Sequence, residues 1–361
     1  MRISIVGAYG YTGRLICTEF ENVGITFSIF GRNEKKILEL KEKLKSVPLA
    51  LALDMRKEED VQLVIDKSDL IVNCAGPFTE EAQLLTKSAT RNGKKYLDIT
   101  GELGFVRNSY MNNHAESLKN KACLVHGCAF ESLVADLIIQ LLIKGQSEIK
   151  SIRSFYWFNQ KKISPGSRIT MKLSKFRALE KISDGAWSIG NTVKDRLPVR
   201  WSASLDIQYK AVPYPLPEIA FAYWNYRPKK AESFLLLKEE EANYIGVAKD
   251  SNEAPIEVLD KLREFKPSGP TIEELNAQRS ILAIEIIEEN ETVSTAVVNA
   301  KNMYQTTALA IRVCLEELIK NPDKFSGVIS PAKLFKGKEE QALKALNVEF
   351  ELENKLIISN V

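Results

Sequence analysis

Residues 2–13 read RISIVGAYGYTG, a short apolar run that leads directly into a loop with three glycines. Apolar side chains then recur over residues 15–23 at the spacing of one helical face, which predicts a helix. A strand, a glycine turn and a helix in this order form the context in which a glycine motif indicates a dinucleotide-binding site. The spacing here is GxxGxxG, which differs from the standard GxGxxG.

Each glycine of this loop has a predicted task. Gly7 permits a sharp turn after the strand, Gly10 leaves space for a pyrophosphate, and Gly13 lets the helix pack close to the sheet. Backbone N–H groups at the start of the helix would then face the phosphates. The residues predicted to contact the cofactor here are Gly7, Tyr9, Gly10, Tyr11, Thr12 and Gly13.

The chain of 361 residues predicts an α/β protein of two domains and a tail. Residues 1–130 alternate continuously apolar runs with charged amphipathic stretches, as a Rossmann-type parallel sheet covered by helices requires. Residues 131–326 contain longer alternating stretches, which predict an α+β domain with a mainly antiparallel sheet for substrate binding and dimerisation. Residues 327–361 are predicted to pack back on the body of the protein.

Three local elements of the second domain follow from the same patterns. Residues 280–288 and 292–299 alternate on either side of a polar turn, which predicts a hairpin. Residues 169–182 and 256–265 have the spacing of helices. The alternating strands leave an apolar sheet face or edge to cover, so we expect a homodimer joined through this domain.

Composition excludes several classes of function. The net charge of +3 is small and the basic residues form no block, so no nucleic-acid partner is expected. Five scattered cysteines without a CxxC pair indicate reduced thiols, and two histidines are too few for a histidine-based metal site. The first strand starts at Arg2, which predicts no signal peptide, and the apolar run 133–143 is too short for a transmembrane segment. We therefore expect a cytoplasmic protein.

Arg32 follows the second predicted strand, where a Rossmann domain meets the adenosine ribose. An acidic residue there would bind the 2′-hydroxyl of NAD, whereas Arg32, with Lys35 and Lys36 nearby, favours a 2′-phosphate. NADP(H) is thus the preferred cofactor and NAD(H) the alternative. Arg32 could instead simply end the strand. Asp54 follows the third strand and is predicted either to reach the adenine amino group or to cap the next helix.

The fourth strand is followed by NCAGPF, residues 73–78. Small residues at this edge would let the second half of the cofactor lie against the backbone, which makes Ala75, Gly76 and Pro77 predicted contacts. A tight turn before the next helix is the competing interpretation.

Three residues are candidates for catalysis. Thr100 and Glu102 belong to YLDITGE, residues 96–102, which closes the fifth strand, and they could orient a substrate, relay a proton or cap a helix. His126 follows the sixth strand at the same edge, although a lone histidine is more often structural.

These motifs resemble the saccharopine dehydrogenase-like oxidoreductases, including the trans-acting enoyl reductases. The matching stretches are 7–14, 73–78 and 96–102, with looser matches at GCAFESLVAD (127–136), YQTTA (304–308) and GVISPA (327–332). The resemblance implies an NAD(P)-binding Rossmann domain and a second α+β domain that closes over the nicotinamide and often carries a dimer contact. The family typically reads GFDSxPSD, where Ala129, Glu131 and Val134 here replace Gly, Asp and Pro.

The resemblance and the motifs together predict hydride transfer from NAD(P)H to an activated C=C or C=N bond of a small-molecule or acyl substrate. A non-catalytic NADP(H)-binding sensor or scaffold is one alternative. A saccharopine-type amino-acid dehydrogenase is another, and it would need arginines that bind substrate carboxylates. The second domain offers Arg168, Arg177, Arg196 and Arg200 for that purpose.

Overall fold

The computed structural model describes residues 1–78, 82–143, 148–159, 162–174, 179–190, 197–199, 209–245 and 269–356. The chain forms two compact units. Unit 1 consists of Met1–Leu137 and Met303–Asn347, and unit 2 of Ile138–Asn302 and Val348–Val361. In the part of the chain that the structure describes, no helix combines the length and the apolar character needed to cross a bilayer.

Unit 1 is built on a seven-stranded parallel sheet, which confirms the predicted Rossmann-type architecture. Its strands are β1 (Ile3–Val6), β2 (Ser28–Gly31), β3 (Ala50–Ala52), β4 (Leu70–Asn73), β5 (Lys95–Asp98), β6 (Cys123–Val125) and β15 (Gly327–Ile329). Their order is β15-β6-β5-β4-β1-β2-β3. The chain order reverses between β1 and β4, and this switch point is where an open α/β sheet forms a crevice for a ligand.

Helices cover both faces of this sheet, which is why β1 and β4 are buried at every residue. The helices are α1 (Tyr11–Asn22), α2 (Glu34–Lys41), α3 (Glu58–Lys67), α4 (Gln83–Arg91), α5 (Leu103–Lys119), α6 (Phe130–Leu142), α11 (Met303–Lys320) and α12 (Glu339–Ala345). A short 3-10 helix spans Pro331–Phe335. The last residues of α6 lie beyond the border of unit 1.

The late segment Met303–Asn347 belongs to unit 1 because β15 pairs in parallel with β6. This pairing covers an edge of β6 whose N–H and C=O groups would otherwise lack strand partners. The borders of the compact units therefore differ from the predicted limits of 1–130, 131–326 and 327–361. The predicted limits were placed where the apolar pattern of the sequence changes, and such changes do not show which sheet a late strand joins. The three ranges stay a prediction of the functional domains.

Unit 2 contains a mixed, mainly antiparallel sheet, as predicted. Its strands are β7 (Ile149–Phe158), β8 (Leu179–Ser183), β9 (Ala186–Gly190), β10 (Leu197–Val199), β11 (Tyr209–Pro213), β12 (Lys230–Leu237), β13 (Arg279–Glu288), β14 (Thr292–Lys301) and β16 (Glu349–Leu356). The main path is β10-β11-β12-β7-β13-β14-β16, and β12 with β7 is its parallel pair. The helices are α7 (Pro165–Ser174), α8 (Glu218–Tyr226), α9 (Glu239–Ile245) and α10 (Ile272–Ala277).

The local predictions for unit 2 have different outcomes. The predicted hairpin is confirmed by the antiparallel pairing of β13 with β14. The predicted helix at 169–182 is wrong in its second half, because α7 ends at Ser174 and the chain continues as strand β8 from Leu179. Residues 256–265, predicted as a helix, lie outside the described residues.

Candidate functional site

The loops that follow the strands of unit 1 gather at one edge of the sheet because all seven strands are parallel. We call this the carboxyl edge. It consists of residues 7–10 after β1, 32–33 after β2, 53–54 after β3, 74–78 after β4, 99–102 after β5 and 126–129 after β6. Every residue that the sequence nominated for the site lies in these loops or in the first turn of α1.

The glycine loop packs directly against the loop after β4. Gly7 has φ 76°, and a Cβ there would lie 2.8–2.9 Å from backbone atoms of Cys74 and Ala75. A Cβ on Gly13 would collide with the Gly7 carbonyl oxygen and lie 2.8 Å from that of Ala8. The first glycine thus needs a positive φ and the last needs the absence of a side chain. A Cβ on Gly10 would meet only the Gly7 carbonyl oxygen, at 3.0 Å.

Tyr9 lies across the end of β2. A Cβ on Gly31 would come within 2.6 Å of the Tyr9 ring, so this glycine makes room for the aromatic side chain. The Lys36 ammonium lies 5.6 Å from the centre of the same ring. Sequence reasoning missed Gly31, although its place immediately before Arg32 was a usable signal.

Asp54 is held by an arginine that the sequence analysis did not single out. Arg56 Nε donates to Asp54 Oδ1 across 2.9 Å, and its terminal nitrogen donates to Oδ2 across 2.5 Å. This pairing lowers the pKa of Asp54 to about 2, and the nearby positive charge of Arg32 acts in the same direction. The N-cap residue of α3 is Lys57 and not Asp54, so the helix-capping interpretation is wrong.

Asn73 fixes the backbone after β4. Its Oδ1 accepts a hydrogen bond from the Ala75 N–H across 3.0 Å, and its Nδ2 donates to the Tyr96 hydroxyl across 2.9 Å. Beyond it, Gly76 is exposed and Pro77 is half-buried. The loop therefore presents a small, accessible backbone surface beside the glycine loop.

His126, at the carboxyl edge, belongs to a buried hydrogen-bonded group with Asp98 and Ser109, which we call the Asp98 network. Asp98 Oδ2 is 2.6 Å from His126 Nδ1, and His126 Nε2 is 2.7 Å from Ser109 Oγ. Asp98 Oδ1 also accepts hydrogen bonds from the N–H groups of Thr100 and Gly127. The network thus ties the loop after β5 to the loop after β6.

The Asp98 network contains the residue types of a hydrolase triad, but its burial argues against that chemistry. His126 and Asp98 are fully buried, and the Ser109 hydroxyl also accepts a hydrogen bond from Asn113. Burial raises the pKa of Tyr96 well above its usual value, and the negative charge of Asp98 adds to this effect. The arrangement suits a structural clamp.

Thr100 and Glu102 belong to the loop after β5, which is tied to the Asp98 network through the Thr100 N–H. The Thr100 hydroxyl donates to Glu102 Oε2 across 2.9 Å, and the Gly101 N–H donates to the same oxygen across 3.1 Å. Both side chains are buried. The two residues therefore form a fixed polar group at the end of β5.

The late helix α11 supports two parts of the edge. The rings of Tyr304 and Tyr11 meet edge to face with centres 5.1 Å apart, at the start of α1. Phe130 is the first residue of α6, and its N–H donates a hydrogen bond to Thr307 Oγ1 across 3.1 Å. The YQTTA motif thus has a structural role that its sequence position did not indicate.

Asp136 is a fully buried carboxyl on α6. Its Oδ2 accepts a hydrogen bond from the Ala332 N–H across 2.8 Å, whereas among the described residues Oδ1 has no hydrogen-bond partner. Burial raises the pKa of Asp136 from 3.8 to about 6. Because the folded state binds this proton more tightly than the unfolded state, ionisation between about pH 4 and about pH 6 costs stability.

Asp136→Asn should therefore stabilise the protein at neutral pH. The amide keeps an oxygen acceptor for Ala332 without a buried charge, and we expect a gain of roughly 1–3 kcal/mol in the free energy of unfolding at neutral pH. The gain should disappear towards pH 4 in urea unfolding measured across pH. Asp69→Asn is the control with the opposite sign, because Arg2 lowers the pKa of Asp69. A loss of stability in Asp136→Asn at every pH would refute this reading.

Comparison with known proteins agrees with this architecture. Residues 3–125 match the family described as saccharopine dehydrogenase NADP binding domain. A trans-acting enoyl reductase of Mycobacterium tuberculosis is 27% identical over 152 residues, which are 40% of this chain and 36% of that protein. A lipid droplet localized protein of Caenorhabditis elegans is 23% identical over 165 residues, 42% of this chain and 39% of that protein. The matches thus span less than two fifths of these relatives.

The fold extends over the whole chain. Apo saccharopine dehydrogenase (L-Glu forming) of Saccharomyces cerevisiae superposes with a TM-score of 0.64 and covers 98% of this chain and 99% of its own, at 12% identity. The resemblance predicted from the motifs is confirmed by these findings, and NADP is the cofactor after which the matched domain family is described. Residues 3–125 therefore match the saccharopine dehydrogenase NADP-binding domain family, and the chain as a whole has the fold of saccharopine dehydrogenase.

Proposed function

We propose that the protein is an oxidoreductase that prefers NADPH to NADH and transfers a hydride to an activated C=C or C=N bond. The observation that carries the proposal is the sharing of one carboxyl edge by the glycine loop and by the polar group Thr100–Glu102. The names of two relatives, an enoyl reductase and a lipid droplet protein, support a lipid-like substrate. We also propose a cytoplasmic homodimer.

The residues of the edge fit a dinucleotide. Gly10 is the N-cap residue of α1 and has no side chain to accept hydrogen bonds from the first turn of the helix. The N–H groups of that turn would therefore be available to a pyrophosphate. Arg32 and Arg56 would provide positive charge for a 2′-phosphate, with Asp54 between them near the adenine. The backbone of residues 75–77 would lie against the nicotinamide. Tyr9, Tyr11 and Thr12 would line the loop.

Bound NADPH supplies the hydride, and the chain binds and orients the reactants. Thr100 and Glu102 are placed to orient a substrate group, because hydrogen bonds hold both side chains in one arrangement. We assign His126 a positioning role through Asp98, since Asp98 and Ser109 engage both nitrogens of its ring. The Asp98 network would hold the loops after β5 and β6 in a fixed position relative to the cofactor.

Two alternatives remain distinct from this proposal. A saccharopine-type amino-acid dehydrogenase would use arginines for substrate carboxylates. Of the four candidates, Arg168 lies on α7, and Arg177, Arg196 and Arg200 lie outside the described residues. A non-catalytic sensor would bind NADP(H) without turnover. Oxidation of NADPH by a member of a panel of enoyl thioesters and cyclic imines would support the oxidoreductase over the sensor.

Arg32→Ala tests the cofactor preference. In calorimetry the wild type should bind NADPH more tightly than NADH, and the variant should lose about tenfold or more in NADPH affinity with little change for NADH. The loss corresponds to one or two charge-assisted hydrogen bonds of roughly 1.5–3 kcal/mol each. Arg91→Ala, an exposed arginine in the last turn of α4, should leave both affinities unchanged. Equal binding of the two cofactors by the wild type would contradict the preference.

A further inference from the structure

Glu131 approaches the fixed polar group from the next loop of the carboxyl edge. It is the second residue of α6, and its Oε1 lies 3.6 Å from the point that a Cβ on Gly101 would occupy. Gly101 lies between Thr100 and Glu102, whose side chains are hydrogen-bonded to each other. The carboxyl of Glu131 therefore lies beside Gly101, and it is close enough to the fixed Glu102 carboxyl for the charge of Glu102 to act on it.

The two glutamates have different surroundings. Glu102 Oε2 accepts hydrogen bonds from the Thr100 hydroxyl and the Gly101 N–H, and its side chain is 4% exposed. Glu131 is half-buried, and burial raises its pKa, with the negative charge of Glu102 raising it further. The charge of Glu102 thus acts on the Glu131 carboxyl. Glu131 is therefore a carboxyl that holds its proton more strongly than an ordinary glutamate does.

We propose that Glu131 is the proton donor of this site, next to the Glu102 carboxyl that Thr100 and Gly101 hold in place. The inference rests on the proposed function, because reduction of a double bond requires a proton as well as a hydride. When a hydride reaches one end of the C=C or C=N bond, negative charge develops at the other end. The Glu131 O–H bond then breaks, a bond from that proton to the substrate forms, and the remaining carboxylate takes its next proton from water.

A donor beside the nicotinamide would respond to the charge of the ring. The oxidised ring is positive and the reduced ring is neutral. An opposite charge within about 4–6 Å lowers a carboxyl pKa by at least about one. NADP+ should therefore favour ionised Glu131, and its affinity relative to that of NADPH should rise with pH. The 2′-phosphate also titrates, but both forms of the cofactor carry it, so its effect cancels in the ratio of their affinities.

The experiment measures the dissociation constants of NADP+ and NADPH on the full chain by calorimetry, from about pH 5 to about pH 8.5. In the wild type, the dissociation constant of NADP+ divided by that of NADPH should fall about tenfold or more as Glu131 ionises. Glu131→Gln should make this ratio independent of pH. Glu102→Gln should move the fall to lower pH, because it removes the charge that raises the pKa of Glu131.

Asp136→Asn is the matched control, since Asp136 is another carboxyl of α6 whose pKa burial raises, to about 6. It should retain the wild-type dependence. A ratio that is flat in the wild type, that still falls in Glu131→Gln, or that loses its dependence in Asp136→Asn would overturn the inference while leaving the proposed function intact. Failure of the wild type to bind either form would instead overturn the proposed function.

Discussion

Replacing Gly7 with alanine should lower the free energy of unfolding by roughly 3 kcal/mol or more and abolish NADPH binding. The added Cβ would lie 2.8–2.9 Å from three backbone atoms of the loop after β4, which cannot yield as a flexible side chain would. The positive φ of Gly7 adds strain for any L-residue. Relief of the collision would separate the glycine loop from residues 74–75, which together would hold the cofactor.

Gly24→Ala provides the matched control for this effect. Gly24 has a similar φ of 72°, but a Cβ there would meet nothing within 4 Å. It should therefore cost only the backbone strain, about 1 kcal/mol, and leave NADPH binding unchanged. Urea unfolding and calorimetry on both variants separate the two contributions. Equal stabilities of the two variants would show that the close approach of the loops has no energetic weight.

Asp98→Ala should be the most damaging change among the buried polar residues of the site. The substitution removes the acceptor for His126 and for the N–H groups of Thr100 and Gly127, and it leaves all of them buried. We expect a loss of roughly 3–5 kcal/mol in the free energy of unfolding, measured with urea. Ser109→Ala removes one member of the same network and should cost less.

Asp69→Ala is the control for this prediction. Asp69 also pairs with a basic side chain, but its ion pair with Arg2 is exposed, and such pairs contribute little to stability. A loss in Asp69→Ala as large as that in Asp98→Ala would contradict the assignment of the Asp98 network as a buried clamp.

The architecture of unit 1 could be predicted from the sequence because its first strands are short, largely apolar runs and the helices between them are mostly amphipathic. Buried parallel strands impose that pattern on the chain directly. The pairing of β15 with β6 could not be predicted, since a three-residue strand carries no information about its partner. The strand β8 was mistaken for a helix because residues 169–182 contain apolar residues at spacings compatible with both.

The candidate site was predictable where it depends on backbone geometry and unpredictable where it depends on contacts between distant residues. Gly7 and Gly13 belong to a glycine motif, and their places in it predicted that neither position could carry a side chain. Arg56 became relevant only through its pairing with Asp54, and Ser109 only through His126, 17 residues further along the chain. Glu131 appeared in the sequence as a departure from a family pattern, and its proximity to Gly101 gave it a chemical role.

We propose that the carboxyl edge of unit 1 is an NADP(H) site equipped for hydride transfer. The crystal structure of the protein with NADPH tests it most directly. We predict that the pyrophosphate lies against Gly7–Gly13, the 2′-phosphate beside Arg32 and the nicotinamide against Gly76 and Pro77, with open space beside its C4 atom. A cofactor bound elsewhere, or side chains such as that of Phe130 filling the space over the nicotinamide, would contradict the claim.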